Sequence, residues 1–114
     1  MHELKIIQDI LPLIEKTAQE NSLTSITKII LKIGKLRQVK NEFLQFAFTT
    51  VSENTIASQA KLIIEQTPII MYCQICKEKF MIDDNIYICH KCNGSSIKIL
   101  TGKEIVLESI DGEY

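Results

Sequence analysis

Four cysteines stand in two pairs of identical spacing, Cys73-Gln-Ile-Cys76 and, after twelve intervening residues, Cys89-His-Lys-Cys92. A CxxC segment bends into a knuckle that aims two sulfurs at one point. Two knuckles together supply the four-thiolate tetrahedron that Zn(II) takes in structural sites. Four protein ligands close the coordination sphere and leave no open position for water or substrate, so the ion reads as structural rather than catalytic. Two disulfides, or four unrelated buried thiols, are the alternative, and a reducing compartment disfavours the first. A redox dithiol is a poorer match, since that chemistry uses a single CxxC opening a helix after a strand. Lys77, Lys79 and Lys91 lie near enough in sequence to offset the negative charge of four thiolates on a divalent ion. The residue after a knuckle is often Gly, for a left-handed turn. Here it is Lys77 and Asn93, and Asn accepts that conformation more readily than Lys. His90, between two ligands, reads as an exposed loop residue. Replacing a cysteine, or binding a second metal, are the other roles open to it.

The second set of donors is at the terminus. The Met1 amine, the His2 backbone nitrogen and the His2 imidazole can chelate one ion, and the Glu3 backbone nitrogen completes a square of four nitrogens. Square-planar nitrogen coordination suits Ni(II) or Cu(II). Taken alone, a histidine at position 2 is a weak signal and far more often belongs to an unstructured terminus.

The elements that must carry these residues follow from periodicity. Leu4, Ile7, Leu11, Ile14 and Ala18 recur at three- and four-residue steps, which predicts an amphipathic helix over the first twenty residues, stopped near Asn21 and Ser22. Pro12 removes a backbone donor and crowds the Gln8 carbonyl, which predicts a kink or break. From Ser25 to Leu36 the rhythm becomes two, with Ile29, Leu31 and Ile33 opposed to Lys28, Ile30 and Lys32. That is a half-buried strand, ended or bulged by Gly34. Asn41 is placed to cap a second helix carrying Phe43, Leu44, Ala47, Phe48 and Val51. Lys61 to Pro68 and Lys103 to Ile110 read as two more strands. Between the knuckles, Phe80, Ile82, Ile86 and Tyr87 with Asp83-Asp84-Asn85 as a turn predict a hairpin over Lys77 to Ile88. Residues 70–101 otherwise hold little that would build a core. The expected fold is α+β: two helices packed on a three-stranded sheet, with an inserted four-cysteine, zinc-ribbon-like module. The expected domains are 1–69 with 102–114, and 70–101.

The chain has 114 residues, 46% hydrophobic and 24% charged, the balance of a globular protein with one small core. Its net charge of −1 argues against non-specific binding of nucleic acid. No apolar stretch approaches a membrane span, and the start lacks the layout of a signal peptide, so a cytoplasmic protein is expected. No Ser-His-Asp set, phosphate loop or plausible pair of carboxylates can be assembled, so no enzyme is expected.

The chain resembles the HypA/HybF family of nickel-incorporation proteins. The resemblance rests on Met1-His2-Glu3-Leu4, Ile33-Gly34-Lys35-Leu36, the run Leu62 to Pro68 leading into Cys73-x-x-Cys76 and Phe80, and the ending Gly102 to Ile110. These segments occur in the family's order over nearly the full length, while Pro12 and His90 depart from its pattern. The resemblance implies a metallochaperone that receives Ni(II) and delivers it to the large-subunit precursor of a [NiFe]-hydrogenase, working with a maturation GTPase. It implies His2 as the nickel ligand, beside the Met1 amine and Glu3 backbone, and Cys73, Cys76, Cys89 and Cys92 as the Zn(II) site. A monomer or a weak, domain-swapped dimer is expected. The rival is a zinc-ribbon protein that binds nucleic acid, supported by the basic run Lys28, Lys32, Lys35, Arg37 and Lys40, or an adaptor with no transferable metal. No platform of stacking aromatics accompanies that run.

Overall fold

A computed structural model describes residues 3–82 and 86–114. Helix α1 (Glu3–Glu20) buries Ile6, Ile7, Ile10, Leu11, Ile14 and Ala18 along one stripe. Each aliphatic of that size contributes about 1.5–3 kcal/mol when taken out of water. Of the kink or break expected at Pro12, the break does not occur: the helix runs through it. Pro12 and Gln8 both lie on the exposed side, so the carbonyl that loses its partner faces water. At the far end Ser22 turns left-handed, φ 58, and the Leu23 N–H returns to the Ala18 carbonyl at 2.9 Å. That double-back closes the helix without a glycine.

Strand β1 (Ser25–Gly34) follows, then a single turn of 3-10 helix (Lys35–Arg37), helix α2 (Asn41–Val51) and strand β2 (Lys61–Thr67). The N-cap of α2 is Lys40, not Asn41, and no side chain of its own caps it. Instead the Glu3 carboxylate accepts the Lys40 N–H at 3.0 Å, while Asn41 Oδ1 accepts from Gln45 inside the helix. Strand β6 (Ile105–Glu113) completes a three-stranded sheet in the order β2-β1-β6. Thr24 N donates to Glu113 O and Gly34 N to Glu104 O, so β1 and β6 run antiparallel. On β2, an edge strand, the Leu62 carbonyl accepts a hydrogen bond from Gln45 Nε2 at 2.7 Å.

A second sheet was not foreseen. Strands β3 (Ile69–Cys73), β4 (Glu78–Ile82) and β5 (Ile97–Thr101) pair in the order β4-β3-β5, both partners antiparallel to β3. The cysteine segment therefore has its own core: Ile69, Met71 and Ile82, with Leu36, Phe80, Ile97 and Ile99 packed around them. The expected hairpin between the knuckles is also corrected. Strand β4 returns against β3, across the first knuckle, and Ile86 to Ile88 form no strand. The expected Asp83-Asp84-Asn85 turn lies outside the described residues.

The chain forms two compact units. One comprises residues 1–32, 39–65 and 106–114 and carries both α-helices; the other comprises 33–38 and 66–105 and carries the cysteines. Within the second unit two glycines meet. A Cβ on Gly34 would sit 2.0 Å from the Gly102 carbonyl oxygen, and Gly102 itself holds φ 115. Around this crossing the Leu36 N–H donates to Gly102 O, and Arg37 Nε donates to Lys103 O. The Glu104 carboxylate accepts from the Gly102 and Lys103 N–H groups, at 2.9 and 3.0 Å, and from the Thr67 hydroxyl. These bonds hold the Glu104 carboxyl below the usual carboxylate range, Thr67 foremost among them.

Candidate metal centre

Each knuckle is built the same way. Cys73 ends β3, and the Cys76 N–H points at its Sγ at 3.3 Å. The Lys77 N–H then closes on the Cys73 carbonyl at 2.7 Å, with Lys77 at φ 57. In the second knuckle the Lys91 N–H points at Cys89 Sγ at 3.4 Å and the Asn93 N–H closes on the Cys89 carbonyl at 2.8 Å, with Asn93 also at φ 57. Both residues after the pairs thus take the left-handed turn, including the lysine. The Cys89 N–H, in turn, is held by the Gly94 carbonyl at 2.9 Å.

The two knuckles converge. All four Sγ atoms lie within 4.8 Å of one another, and the cross-knuckle pairs Cys73–Cys92 and Cys76–Cys89 are each separated by 3.8 Å. A tetrahedron of sulfurs at the Zn–S length has edges of about 3.8 Å, whereas a disulfide requires about 2.05 Å. The cysteines are free thiols, Cys73 and Cys89 buried, Cys76 half-buried and Cys92 exposed. Donor set and spacing therefore fit one tetrahedral metal ion and exclude two disulfides.

The electrostatics agree. The Cys89 thiol is held down at about 6, chiefly by the Cys92 backbone N–H and then by that of Lys91. The Cys76 thiol is pushed up to about 12 by its hydrogen bond with Cys92 and by burial. Sulfurs so close ionise together only with a cation among them, and a bound divalent ion inverts this balance. Of the lysines expected beside the sulfurs, Lys91 has its ammonium held up chiefly by Glu78 on β4, with which it pairs at 3.0 Å, and further by Cys76 and Cys89. His90 is not among the residues whose donor atoms cluster. Its ring lies 5.3 Å from that of Phe80, tilted by 41°. The pairing of Phe80 with His90 had no signal in the sequence, since neither belongs to the periodic pattern of the other.

The terminal donors Met1 and His2 lie outside the described residues. Glu3 is described: its side chain is buried, and its carboxyl is held down at about 2, first by the Lys40 N–H. The basic run of the rival reading is largely engaged within the protein. Lys28 pairs with Asp111 at 3.4 Å and Lys32 with Glu108 at 3.7 Å, both on β6.

A family model described as hydrogenase/urease nickel incorporation, metallochaperone, hypA matches residues 1–112. This chain belongs to the HypA family. A hydrogenase maturation factor HypA from Picosynechococcus is 37% identical over 111 residues, covering 97% of this chain and 98% of that protein. One from Aquifex aeolicus is 34% identical over 113 residues, covering 99% and 98%. The solution structure of the Ni metallochaperone HypA from Helicobacter pylori superimposes with a TM-score of 0.72 at 24% identity, covering 99% of this chain and 98% of that one, which shows a shared fold. The HypA assignment agrees with the α+β architecture and its four-cysteine metal site. Among the described residues no helix is long and apolar enough to cross a membrane.

Proposed function

We propose that this protein is a nickel metallochaperone that binds Ni(II) at its N-terminus and hands it to the large-subunit precursor of a [NiFe]-hydrogenase, in the cytoplasm and with a maturation GTPase. The observation that carries the reading is the HypA match over residues 1–112. In this reading 1–69 with 102–114 form the nickel-binding domain and 70–101 the zinc-binding domain. Cys73, Cys76, Cys89 and Cys92 hold a structural Zn(II), supported by the all-thiolate donor set and the 3.8 Å edges. The cargo nickel takes the Met1 amine, the backbone nitrogen and imidazole of His2, and the Glu3 backbone nitrogen. The Glu3 carboxylate contributes indirectly. Bonded to the Lys40 N–H, it anchors the first turn of α1, next in sequence to the chelating residues. The protein carries an ion rather than catalysing a reaction.

Metal analysis and nickel titration test this reading. The purified protein should contain one equivalent of zinc and bind Ni(II) in addition. His2→Ala should abolish nickel binding with zinc unchanged. So should one residue added before Met1, which leaves every side chain present but breaks the chelate ring. Nickel affinity surviving that extension would place the site elsewhere.

A further inference from the structure

The sheet β4-β3-β5 has two faces. Ile69, Met71, Ile82, Phe80, Ile97 and Ile99 form its core, so the alternate residues of each strand stand on the other side. Register arranges them in two rows. Tyr72 is paired with Lys79 on β4 and with Lys98 on β5, giving a row Lys–Tyr–Lys. Ile70 is paired with Met81, and Leu100 stands at the irregularity in the β3–β5 register, giving an aliphatic row. Met81 is 54% and Leu100 41% exposed, and both lysines are exposed. Among the described residues neither lysine has an ion-pair partner, and no acidic residue stands in either row.

We infer that this face docks an extended acidic–aliphatic segment of a partner protein, with carboxylates over the Lys79–Tyr72–Lys98 row and an aliphatic side chain over Ile70, Met81 and Leu100. Strand geometry sets the spacing. The rows are two residues apart along β3, about 7 Å, which is also the distance between side chains i and i+2 of an extended peptide. The two lysines flank Tyr72 at about 5 Å on either side, so a carboxylate above the ring meets an ammonium in either direction. Two cations without an ion-pair partner among the described residues, beside exposed aliphatics, provide the charge complementarity, and methionine adapts to differing side chains. A nucleic acid fits less well. One aromatic makes no stacking platform, the aliphatic row offers nothing to phosphates, and the chain's net charge is −1. A second copy fits poorly too, because a two-fold contact through this face would set lysine rows against each other. The inference goes beyond the carrier reading and stands whether or not nickel binds at the terminus.

The test uses the full-length, zinc-loaded protein and a synthetic peptide, Gly-Ser-Glu-Ser-Leu-Ser-Glu-Gly-Ser, whose glutamates and leucine stand two residues apart on one face, titrated by NMR. Shifts confined to Tyr72, Lys79, Lys98 and their neighbours are expected, weakening with salt. Lys79→Glu with Lys98→Glu should lower affinity by about tenfold, and Met81→Ser by a smaller factor, with zinc content unchanged in both. No shifts at all, equal binding of the peptide with lysine in place of glutamate, or unaltered affinity in the double variant would overturn the inference. So would tighter binding of oligothymidylate to these residues, or concentration-dependent shifts without peptide, which would indicate a nucleic-acid face or a self-contact.

Discussion

Lys77 and Asn93 share one backbone angle, φ 57, each a single residue beyond a CxxC pair. The two knuckles are thus the same turn written with different residues; both carry a Cβ against the following carbonyl, and the lysine bears the larger cost because it lacks the short amide with which asparagine bonds its local backbone. Lys77→Gly should stabilise the metal-loaded protein by about 1 kcal/mol, and Asn93→Gly by less. Urea denaturation at saturating zinc reads the difference. Lys77→Val, β-branched at a left-handed position, should move the midpoint the other way.

Ligation rather than packing should dominate the module's stability. Cys92 is exposed, so Cys92→Ser removes a ligand and little buried surface. The variant should lose its zinc, and amide dispersion from residues 70–101 should collapse while that of Ile7, Ile14 and Leu44 in the first unit persists. Chelation of the wild type should reproduce the same spectrum. Retained dispersion in residues 70–101 after zinc loss would show that the Ile69–Met71–Ile82 core suffices without the ion.

At the glycine crossing the prediction is steric. Gly34→Ala puts a methyl group 2.0 Å from the Gly102 carbonyl oxygen, backbone that cannot step aside cheaply. A destabilisation of about 2–4 kcal/mol is expected, measured by urea midpoint at constant zinc. Gly94→Ala, whose Cβ would be 3.2 Å from Cys92 Sγ, should cost less.

Glu104 supplies a pH dependence with a definite sign. Its carboxyl is held below the ordinary value, so it binds its proton more weakly folded than unfolded. The stability it contributes is complete above the unfolded value, about 4.3, and is lost as pH falls through the lower folded one. Glu104→Gln leaves donors at Thr67, Gly102 and Lys103 less well met, for a loss of about 1–3 kcal/mol at neutral pH. Below about pH 4 the gap between wild type and variant should narrow. A constant gap down to pH 3, followed by urea denaturation, would assign the stabilisation to something other than the charge.

How much of this was legible beforehand varied with the kind of signal. The four sulfurs were readable because ligand spacing is written into the chain, and α1 because its stripe repeats over five turns. The second sheet was hidden. Strands β3, β4 and β5 have five residues each and are interrupted by knuckles, so none shows a long alternation. Leu36, which completes their core, lies over thirty residues upstream of Ile69 in sequence. The kink or break expected at Pro12 gave no broken helix because exposure of Gln8 and Pro12 decides the cost, and exposure depends on what packs against the other face. The α2 cap was misplaced for a similar reason: its partner, Glu3, is remote in sequence and therefore invisible to any local motif.

The hydrogen bond from Gln45 to the Leu62 carbonyl bears on how these molecules behave when crowded. An open strand edge is a template, since any chain offering an N–H can extend the sheet across the molecular boundary. By filling one acceptor on β2 from its own helix, the protein interrupts the ladder that a foreign strand would need to follow. A strand pairing along β2 through that carbonyl would first have to displace the Gln45 amide.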